Sequence, residues 1–238
     1  MKHALLLALS IALIFLSCGK SNEEPSVEGK TCQISIAANE NHKYDAEGRL
    51  INISNSADPA GVNITYSKDM ITILGSNKIP NIKLILVNGR VTEATTVSST
   101  TTNYEFSYDM DGYMSKAVMF SGGEVHTYTY SYTGGNLTKI EGTKNSSGKL
   151  SNHPTITVEH STELASNIAE IGIPMEKPFI FSRYKVDKYF GKQSKNLVSK
   201  VTELGTSVSF TYTKDVNGNI TSVKRSDSNP YLIMYMCK

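Results

Sequence analysis

The 238-residue chain contains no tryptophan, only three cysteines and almost no imbalance of charge. Without tryptophan it lacks the strongest aromatic platform for stacking sugars, and its 13 tyrosines are also what cross-strand packing selects. A formal net charge of +2, with no basic cluster among the aromatic residues, excludes the electrostatic pattern of a nucleic-acid-binding protein. The sequence has no phosphate-binding loop, serine-hydrolase elbow or catalytic cysteine–histidine pattern. We therefore expect a protein that is not an enzyme and needs no cofactor.

Long hydrophobic runs are also lacking, apart from one short segment near the start. Residues 4–16 are apolar except for Ser10 and follow a short basic start. A run of this length is too short to span a bilayer comfortably and has the plan of a secretory signal peptide, with an N-terminal anchor helix as the alternative. The next residues, Leu16-Ser17-Cys18-Gly19, match the site at which a bacterial lipoprotein is cleaved and acylated. We expect a signal peptide over residues 1–17 and a lipid anchor on Cys18 that binds the membrane.

Residues 18–30 are polar, with a proline and a glycine, and predict a flexible tether between the lipid and the folded part. Gly19, where an inner-membrane retention signal usually has aspartate, and the acidic pair Glu23-Glu24 favour the outer membrane. The protein is then expected on the cell surface or on the periplasmic face of that membrane. The remaining residues, 31–238, are long enough to form a single domain with a proper core.

Most of this domain alternates apolar and polar residues between turns that contain glycine, which is the sequence signal of β-hairpins. The clearest example is residues 104–140, where Asp111-Gly112, Gly122-Gly123 and Gly134-Gly135 separate the alternating stretches. In five turns, an apolar residue just after the turn is followed by another three positions on, a spacing that predicts a β-bulge. These pairs are Leu50 and Ile53, Val91 and Ala94, Met114 and Ala117, Leu137 and Ile140, and Ile220 and Val223.

The turns also carry a resemblance to known families. Tyr44-Asp45-x-x-Gly48-Arg49-Leu50 and Tyr108-Asp109-x-Asp111-Gly112 resemble the YD repeats of Rhs-type proteins. The run Tyr189-Phe190-Gly191-Lys192-x-Ser194-Lys195-Asn196-Leu197, followed by a Tyr-x-x-Asp-x-Asn-Gly hairpin, is similar to a Bacteroides-type lipoprotein family of unknown function. The resemblance covers most of the mature chain and implies no established activity and no catalytic residue.

Residues 150–206 interrupt the repeated pattern. Ser161 is a suitable N-cap for a short helix with Leu164, Ile168 and Ile171 on its apolar face. Aromatic residues follow, and we expect either a plug packed on the sheet or the wall of a ligand pocket. The candidate ligand-binding residues are Phe179, Phe181, Tyr184, Tyr189 and Phe190. The predicted fold is a mainly β, antiparallel meander of repeated hairpins, curled into an open barrel or half-barrel with this helix packed on it.

Two cysteines remain in the domain, Cys32 and Cys237, near its two ends. In an oxidising envelope compartment they can form a disulfide. The alternatives are two buried thiols, or one buried thiol and one loose at the C-terminus. Two distant cysteines lack the local spacing of a zinc site.

Other candidates for metal binding have simpler explanations. His153, His160 and Glu163 lack helical metal-site spacing and are expected to be loop residues. Asp109-Met110-Asp111-Gly112 and Asp215-Val216-Asn217-Gly218 share part of a calcium-loop pattern, but hairpin turns require the same residues. The sequence therefore predicts no metal site.

Together these observations favour a non-enzymatic outer-membrane lipoprotein that binds a glycan, a peptide or an envelope protein. One alternative is a periplasmic carrier of lipid or lipoprotein, or an envelope-assembly factor, which an apolar cavity would favour. A polar groove lined by aromatic residues would favour the first hypothesis. A further alternative is a hydrolase, which convergent carboxylates in one cleft would favour.

Overall fold

The computed structural model describes residues 32–37, 39–75, 80–165, 184 and 186–237. The expected signal peptide, the tether and Cys18 lie outside these residues, as do Ile168, Ile171, Phe179 and Phe181. The described residues form seventeen β-strands. They are β1 Cys32–Ala37, β2 Glu40–Tyr44, β3 Leu50–Asn55, β4 Asp58–Tyr66, β5 Met70–Leu74, β6 Asn81–Val87, β7 Arg90–Val97, β8 Thr101–Tyr108, β9 Met114–Ser121, β10 Glu124–Thr133, β11 Asn136–Ser146, β12 Lys149–Asn152, β13 Ile156–Leu164, β14 Asn196–Glu203, β15 Thr206–Lys214, β16 Ile220–Arg225 and β17 Tyr231–Cys237.

The strands form one closed, antiparallel β-barrel. Each strand except β12 pairs with the next along the chain, and β1 pairs with β17 as well as with β2. Strands β12 and β13 pair one after the other with the same edge of β11, so the seventeen strands fill sixteen positions around the barrel. The expected open barrel or half-barrel is therefore wrong. Alternation along a strand does not encode whether the first and last strands meet.

The expected helix is also wrong in the part that the structure describes. Ser161 and Leu164 belong to β13, where Leu164 pairs with Asn196 of β14. The available edge of β14 gives these residues strand partners, which a short isolated helix would lack. A single turn of 3-10 helix, Asp187–Tyr189, is found instead, and the described residues contain no α-helix. No helix within these described ranges is long and apolar enough to cross a membrane.

The barrel is apolar inside and polar outside. In β8, Tyr104 and Phe106 are buried, whereas Asn103, Glu105 and Ser107 are exposed. The interior cluster draws buried side chains from nearly every strand, and many, such as Ile71, Leu84 and Leu197, have no exposed surface. Side chains lining a water-filled channel would be accessible to solvent. This alternation is the reverse of a transmembrane barrel, whose outer wall is apolar.

Every one of the five predicted β-bulges is present. The pairing register shifts by one residue directly after the turn, so that one extra residue stands in the outgoing strand. Both apolar residues of each pair then face the interior, which explains their spacing of three. The ten buried residues are Leu50, Ile53, Val91, Ala94, Met114, Ala117, Leu137, Ile140, Ile220 and Val223.

A repeated tyrosine contact accompanies these hairpins. Five tyrosines share one position: each lies three residues after the last residue of its strand that pairs with the preceding strand. The hydroxyl of each donates a hydrogen bond to a backbone carbonyl of that preceding strand. That carbonyl lies two residues beyond the same last pair, where the strands diverge. The hydroxyl therefore replaces a missing ladder bond and satisfies a backbone acceptor. The bonds run from Tyr44 to Ile34 (2.8 Å), Tyr66 to Leu50 (2.9 Å), Tyr108 to Val91 (2.6 Å), Tyr212 to Val198 (2.7 Å) and Tyr235 to Ile220 (2.9 Å).

Because the strands alternate in direction, all the repeated turns meet at one end of the barrel. We call this the strap end, since residues 186–195, the strap, cross it before β14. It carries the turns at residues 45–49, 67–69, 88–89, 109–113, 134–135 and 215–219, together with the first residue of β1 and the last of β17. There the sulfur atoms of Cys32 and Cys237 lie 1.99 Å apart, in a disulfide that links the first strand to the last.

Candidate functional site

The strap holds the sequence motif that carried the more specific family resemblance. The backbone N–H groups of Lys192 and Lys195 donate hydrogen bonds of 2.9 Å to the carbonyls of Gly112 and Gly135 in two repeated turns. The hydroxyl of Ser194 accepts a bond of 3.0 Å from the N–H of Leu137. The motif is thus explained by docking of the strap on the turns, which fixes its path across the barrel end.

Glycine is required at position 191, where the strap comes closest to the turn that contains Gly112. A Cβ atom on Gly191 would lie 2.6 Å from the carbonyl oxygen of Gly112 and 2.9 Å from the ring of Tyr108. Gly191 also has a φ of +86°, which L side chains rarely adopt. Close approach and backbone conformation both select glycine here.

The described ligand candidates are mostly part of the core. Tyr184 is 4% exposed and Phe190 is 2% exposed, and the Phe190 ring meets Phe106 edge-on at 5.1 Å. Tyr189 is half-buried against Tyr66, with ring centres 6.2 Å apart. These contacts favour the plug over the pocket wall, because a ligand cannot reach Tyr184 or Phe190. The rings of these two residues fill the barrel interior behind the strap.

The strap end also places cations over tyrosine rings. The guanidinium carbons of Arg49 and Arg90 lie 4.8 and 5.6 Å from the ring centres of Tyr66 and Tyr108. Arg49 also binds Asp45, and although burial acts to raise it, the hydrogen bonds from Arg49 hold the pKa of that carboxyl below its ordinary value. Within the strap, Lys192 approaches the ring of Tyr113 at 5.5 Å.

The residues considered for metal binding do not converge. Glu163 binds Lys214 at 2.5 Å, while His160 is half-buried in β13, where burial lowers its pKa. His153 lies elsewhere, beside His126. In the part of the chain that the structure describes, no group of three or more histidine, cysteine or acidic side chains is placed to hold a metal ion.

The two sequences that share part of a calcium-loop pattern, at residues 109–112 and 215–218, form hairpin turns. The carboxylate of Asp109 accepts the N–H of Tyr113 at 2.8 Å. The carboxylate of Asp215 accepts the N–H groups of Asn217 and Asn219, both at 2.9 Å. These oxygens are occupied by the turn backbone, and the side-chain bond from Asn219 helps to keep the pKa of Asp215 below its ordinary value.

A polar groove lies on the outer wall of β7, β8 and β9. Its volume is about 350 Å³, and it is lined by Glu93, Ala94, Thr95, Asn103, Tyr104, Glu105 and Phe120. Phe120 faces outward beside Asn103, its partner in the adjacent strand, and the Thr95 hydroxyl donates to the Asn103 side-chain oxygen at 3.0 Å. Carboxylates, an amide, a hydroxyl and an aromatic ring therefore share one surface.

Two like charges face each other in this groove. Glu93 and Glu105 are directly paired across β7 and β8, an arrangement that destabilises a sheet. Within the described residues, neither carboxylate forms an ion pair. Their acceptor oxygens are therefore available to a bound molecule.

This groove could not be predicted from the sequence. Residues 92–103 are rich in threonine and serine, a composition typical of an exposed edge strand or loop. They form parts of β7 and β8, which have partners on both sides. Because Phe120 lies more than 20 residues from Glu93, only the strand register brings them together.

The comparisons with known proteins give the family. Residues 42–222 match the model of a domain of unknown function, DUF4595, which is described as having a porin-like fold. The chain belongs to this family. The match confirms the expectation of a domain of unknown function, and no curated protein matches the chain.

Solved structures agree with this fold. A porin-like protein from Bacteroides uniformis ATCC 8492 is 17% identical, with a TM-score of 0.57, over 88% of this chain and 99% of that one. A porin-like protein from Bacteroides vulgatus ATCC 8482 is 13% identical, with a TM-score of 0.62, over 85% of this chain and 98% of that one. The likeness at this identity shows the fold. A porin-like fold suggests association with the outer membrane or envelope.

Proposed function

We propose that the protein is a non-enzymatic, lipid-anchored envelope module that binds a polar ligand, a glycan or a peptide, in the groove of β7–β9. The observation that carries the proposal is the combination of Glu93, Asn103, Glu105 and Phe120 in one water-facing groove. Such a set offers hydrogen-bond partners for hydroxyl or amide groups and an aromatic surface for their apolar faces. The proposed anchor is Cys18, and the likeness of the turns to YD repeats remains a prediction.

The interior of the barrel counts against the carrier hypothesis. Interior side chains such as Ile73, Val91 and Ile140 are at most 1% exposed and pack on one another. An acyl chain would need these contacts to open. The outer groove is polar, so its lining suits a hydrated ligand better than a lipid tail.

A binding screen tests the proposed groove. The full chain, purified in detergent, is applied to glycan and peptide arrays beside the variants Phe120→Ala and Glu105→Gln. We expect each variant to bind the retained ligand about tenfold more weakly, because a contact in a desolvated site is worth about 1–3 kcal/mol. Thr211→Ala, on the exposed face of β15, is the matched control. Equal binding by all four proteins would remove the groove from the proposal.

The paired carboxylates keep a hydrolase as the second candidate. Two acids flanking one bond are the usual machinery of glycoside hydrolysis. Incubation of any retained glycan with the protein, followed by chromatography, separates the two functions. We expect the glycan to be recovered intact. Cleavage that is lost in both Glu93→Gln and Glu105→Gln would make the protein an enzyme.

The location is tested separately. Protease treatment of intact cells, with a periplasmic protein as control, should degrade the barrel if it faces outward. Protection until the outer membrane is opened would turn the search towards envelope partners. Cys18→Ala should move the protein out of the membrane fraction, whereas retention there would contradict lipid anchoring.

A further inference from the structure

Two histidines that are far apart in sequence meet on the inner face of the barrel, towards the end opposite the strap. His126 belongs to β10, and His153 follows β12. The Nδ1 atom of His126 and the Nε2 atom of His153 are 2.9 Å apart. Their rings are inclined by only 18°, yet the ring centres are 5.1 Å apart. Facing nitrogens that are much closer than the ring centres show that the rings meet edge to edge, so their in-plane lone-pair directions converge.

The surroundings hold both rings in this arrangement. The backbone N–H of His153 donates to the carbonyl of Gly142 at 2.8 Å. A Cβ atom on Gly142 would lie 3.0 Å from both the His153 Cβ atom and the Tyr128 ring. Glycine in β11 thus leaves the space that His153 occupies. The ring of Tyr128 lies 5.4 Å from that of His153, nearly parallel to it.

The far side of His126 is held by a carboxylate. The Nε2 atom of His126 lies 3.4 Å from Oε2 of Glu124, and the other oxygen of Glu124 binds Lys144 at 2.6 Å. A carboxylate beside Nε2 of a histidine favours the tautomer with the proton on Nε2. Nδ1, on the other side of the ring, then keeps its lone pair as an acceptor. This carboxylate–histidine order is the one that supports metal-ligating histidines.

We propose that His126 and His153 form a binding site for a divalent transition metal of the class that imidazole prefers, such as Zn²⁺ or Cu²⁺. When the metal binds, the hydrogen bond between the two rings breaks, the ring proton of His153 moves from Nε2 to Nδ1, and both facing nitrogens then offer their lone pairs to the metal. Two histidines at about 2.0–2.1 Å from a tetrahedral zinc stand about 3.3 Å apart, which needs an opening of about 0.4 Å. The backbone N–H of His153 can stay bonded to Gly142, because rotation of the imidazole about its side-chain bonds supplies this movement. Water completes the coordination, since the protein supplies two ligands.

The site is independent of the outer groove, because His126 points into the barrel and the groove lies on its outer wall. The site could not be predicted from the sequence, because its two ligands stand 27 positions apart and have no local metal-binding spacing. Only the β10–β11–β12 register brings them together.

Calorimetric titration of the full chain in detergent with Zn²⁺ or Cu²⁺ tests the site. We expect one equivalent to bind, with Cu²⁺ bound more tightly than Zn²⁺ and no response to Mg²⁺. His126→Gln and His153→Gln should each weaken binding at least tenfold, and Glu124→Gln should weaken it about tenfold through the supporting contact. His42→Gln, in β2, is the matched control and should bind normally.

Electron paramagnetic resonance of the Cu²⁺ form tests the site in the unaltered protein, so the test does not depend on variants that can fail to fold. Hyperfine structure from two imidazole nitrogens in the unaltered protein supports the site. A spectrum without imidazole nitrogen, or equal loss of binding in His42→Gln, would overturn it.

Discussion

Five tyrosine hydroxyls each donate a hydrogen bond to a carbonyl just beyond the last paired residue of a hairpin. The shared geometry explains why tyrosine recurs at spacings near 22 residues, since each hairpin repeats the same divergence. The 22-residue spacing from Tyr44 to Tyr66 is repeated from Tyr108 to Tyr130. In β10, however, Tyr132 stands at the equivalent position, three residues beyond the last residue paired with β9. At the equivalent position in β13 stands His160. A register shift within the strand decides which residue meets the carbonyl, and spacing alone does not encode that shift.

Removing one of these hydroxyls tests the contact. Tyr108→Phe should lower the free energy of unfolding by about 1–2 kcal/mol, because the Val91 carbonyl loses its partner in a half-buried place. Urea unfolding followed by circular dichroism measures the change. Tyr113→Phe keeps the ring at the same end of the barrel and should cost less than half as much. Equal costs would show that the hydroxyl of Tyr108 adds nothing beyond its ring.

The same burial makes the barrel sensitive to alkaline conditions. Burial raises the pKa of Tyr66, Tyr108 and Tyr212 above the ordinary value. A folded-state pKa above the unfolded one gives stability that is complete below about pH 10 and is lost as pH rises further. We expect unfolding and tyrosinate absorbance to appear together above about pH 10. Tyrosinate absorbance from all tyrosines in a barrel that is still folded would contradict the burial argument.

At the scale of elements, the hairpins and their bulges followed from the sequence, because each is set by residues within one turn. The expected helix failed because Leu164 pairs with Asn196, more than 30 residues away. An even longer stretch of sequence separates Gly135 from Lys195, so the strap motif was visible but its docking was not. Local chemistry predicts turns, and long-range pairing decides what neighbouring segments become.

The strap offers a sharp test of close packing. Gly191→Ala should destabilise the protein by about 3 kcal/mol, because strain at positive φ adds to a clash with the Gly112 carbonyl. Gly89→Ala is the matched control, with a φ of +75° and no atom within 4 Å of the added carbon. It should cost about 1 kcal/mol. Equal values from urea unfolding would mean that the strap moves away from the turn without cost.

At the scale of the whole molecule, neither the candidate groove nor the closure of the barrel could be predicted from the sequence. Glu93 and Phe120 become neighbours only through β8, and β1 meets β17 across nearly the whole domain. The alternation of apolar and polar residues between turns predicted a mainly β domain, and its length predicted a proper core. Neither predicted that the two outermost strands would join.

The disulfide between those strands gives the largest expected effect on stability. Cys32 and Cys237 are separated by 205 positions, and opening such a loop costs up to about 5 kcal/mol in the chain-entropy model. Reductant should lower the melting temperature of the unaltered protein by several degrees. The double variant Cys32→Ser, Cys237→Ser should melt at the lower temperature with or without reductant. No response to reductant in the unaltered protein would mean that the bond does not form.

The even number of strand positions around the barrel has a mechanical consequence. Seventeen successive up-and-down strands would bring the last one parallel to the first. Because β12 and β13 share one position, the first residue of β1 and the last residue of β17 lie side by side at the strap end. Any pull from the residues that precede Cys32 enters the barrel at the residue bonded to Cys237. The force is divided between two strands before it shears a single ladder of hydrogen bonds. A barrel pulled at this residue therefore resists being unravelled from that point.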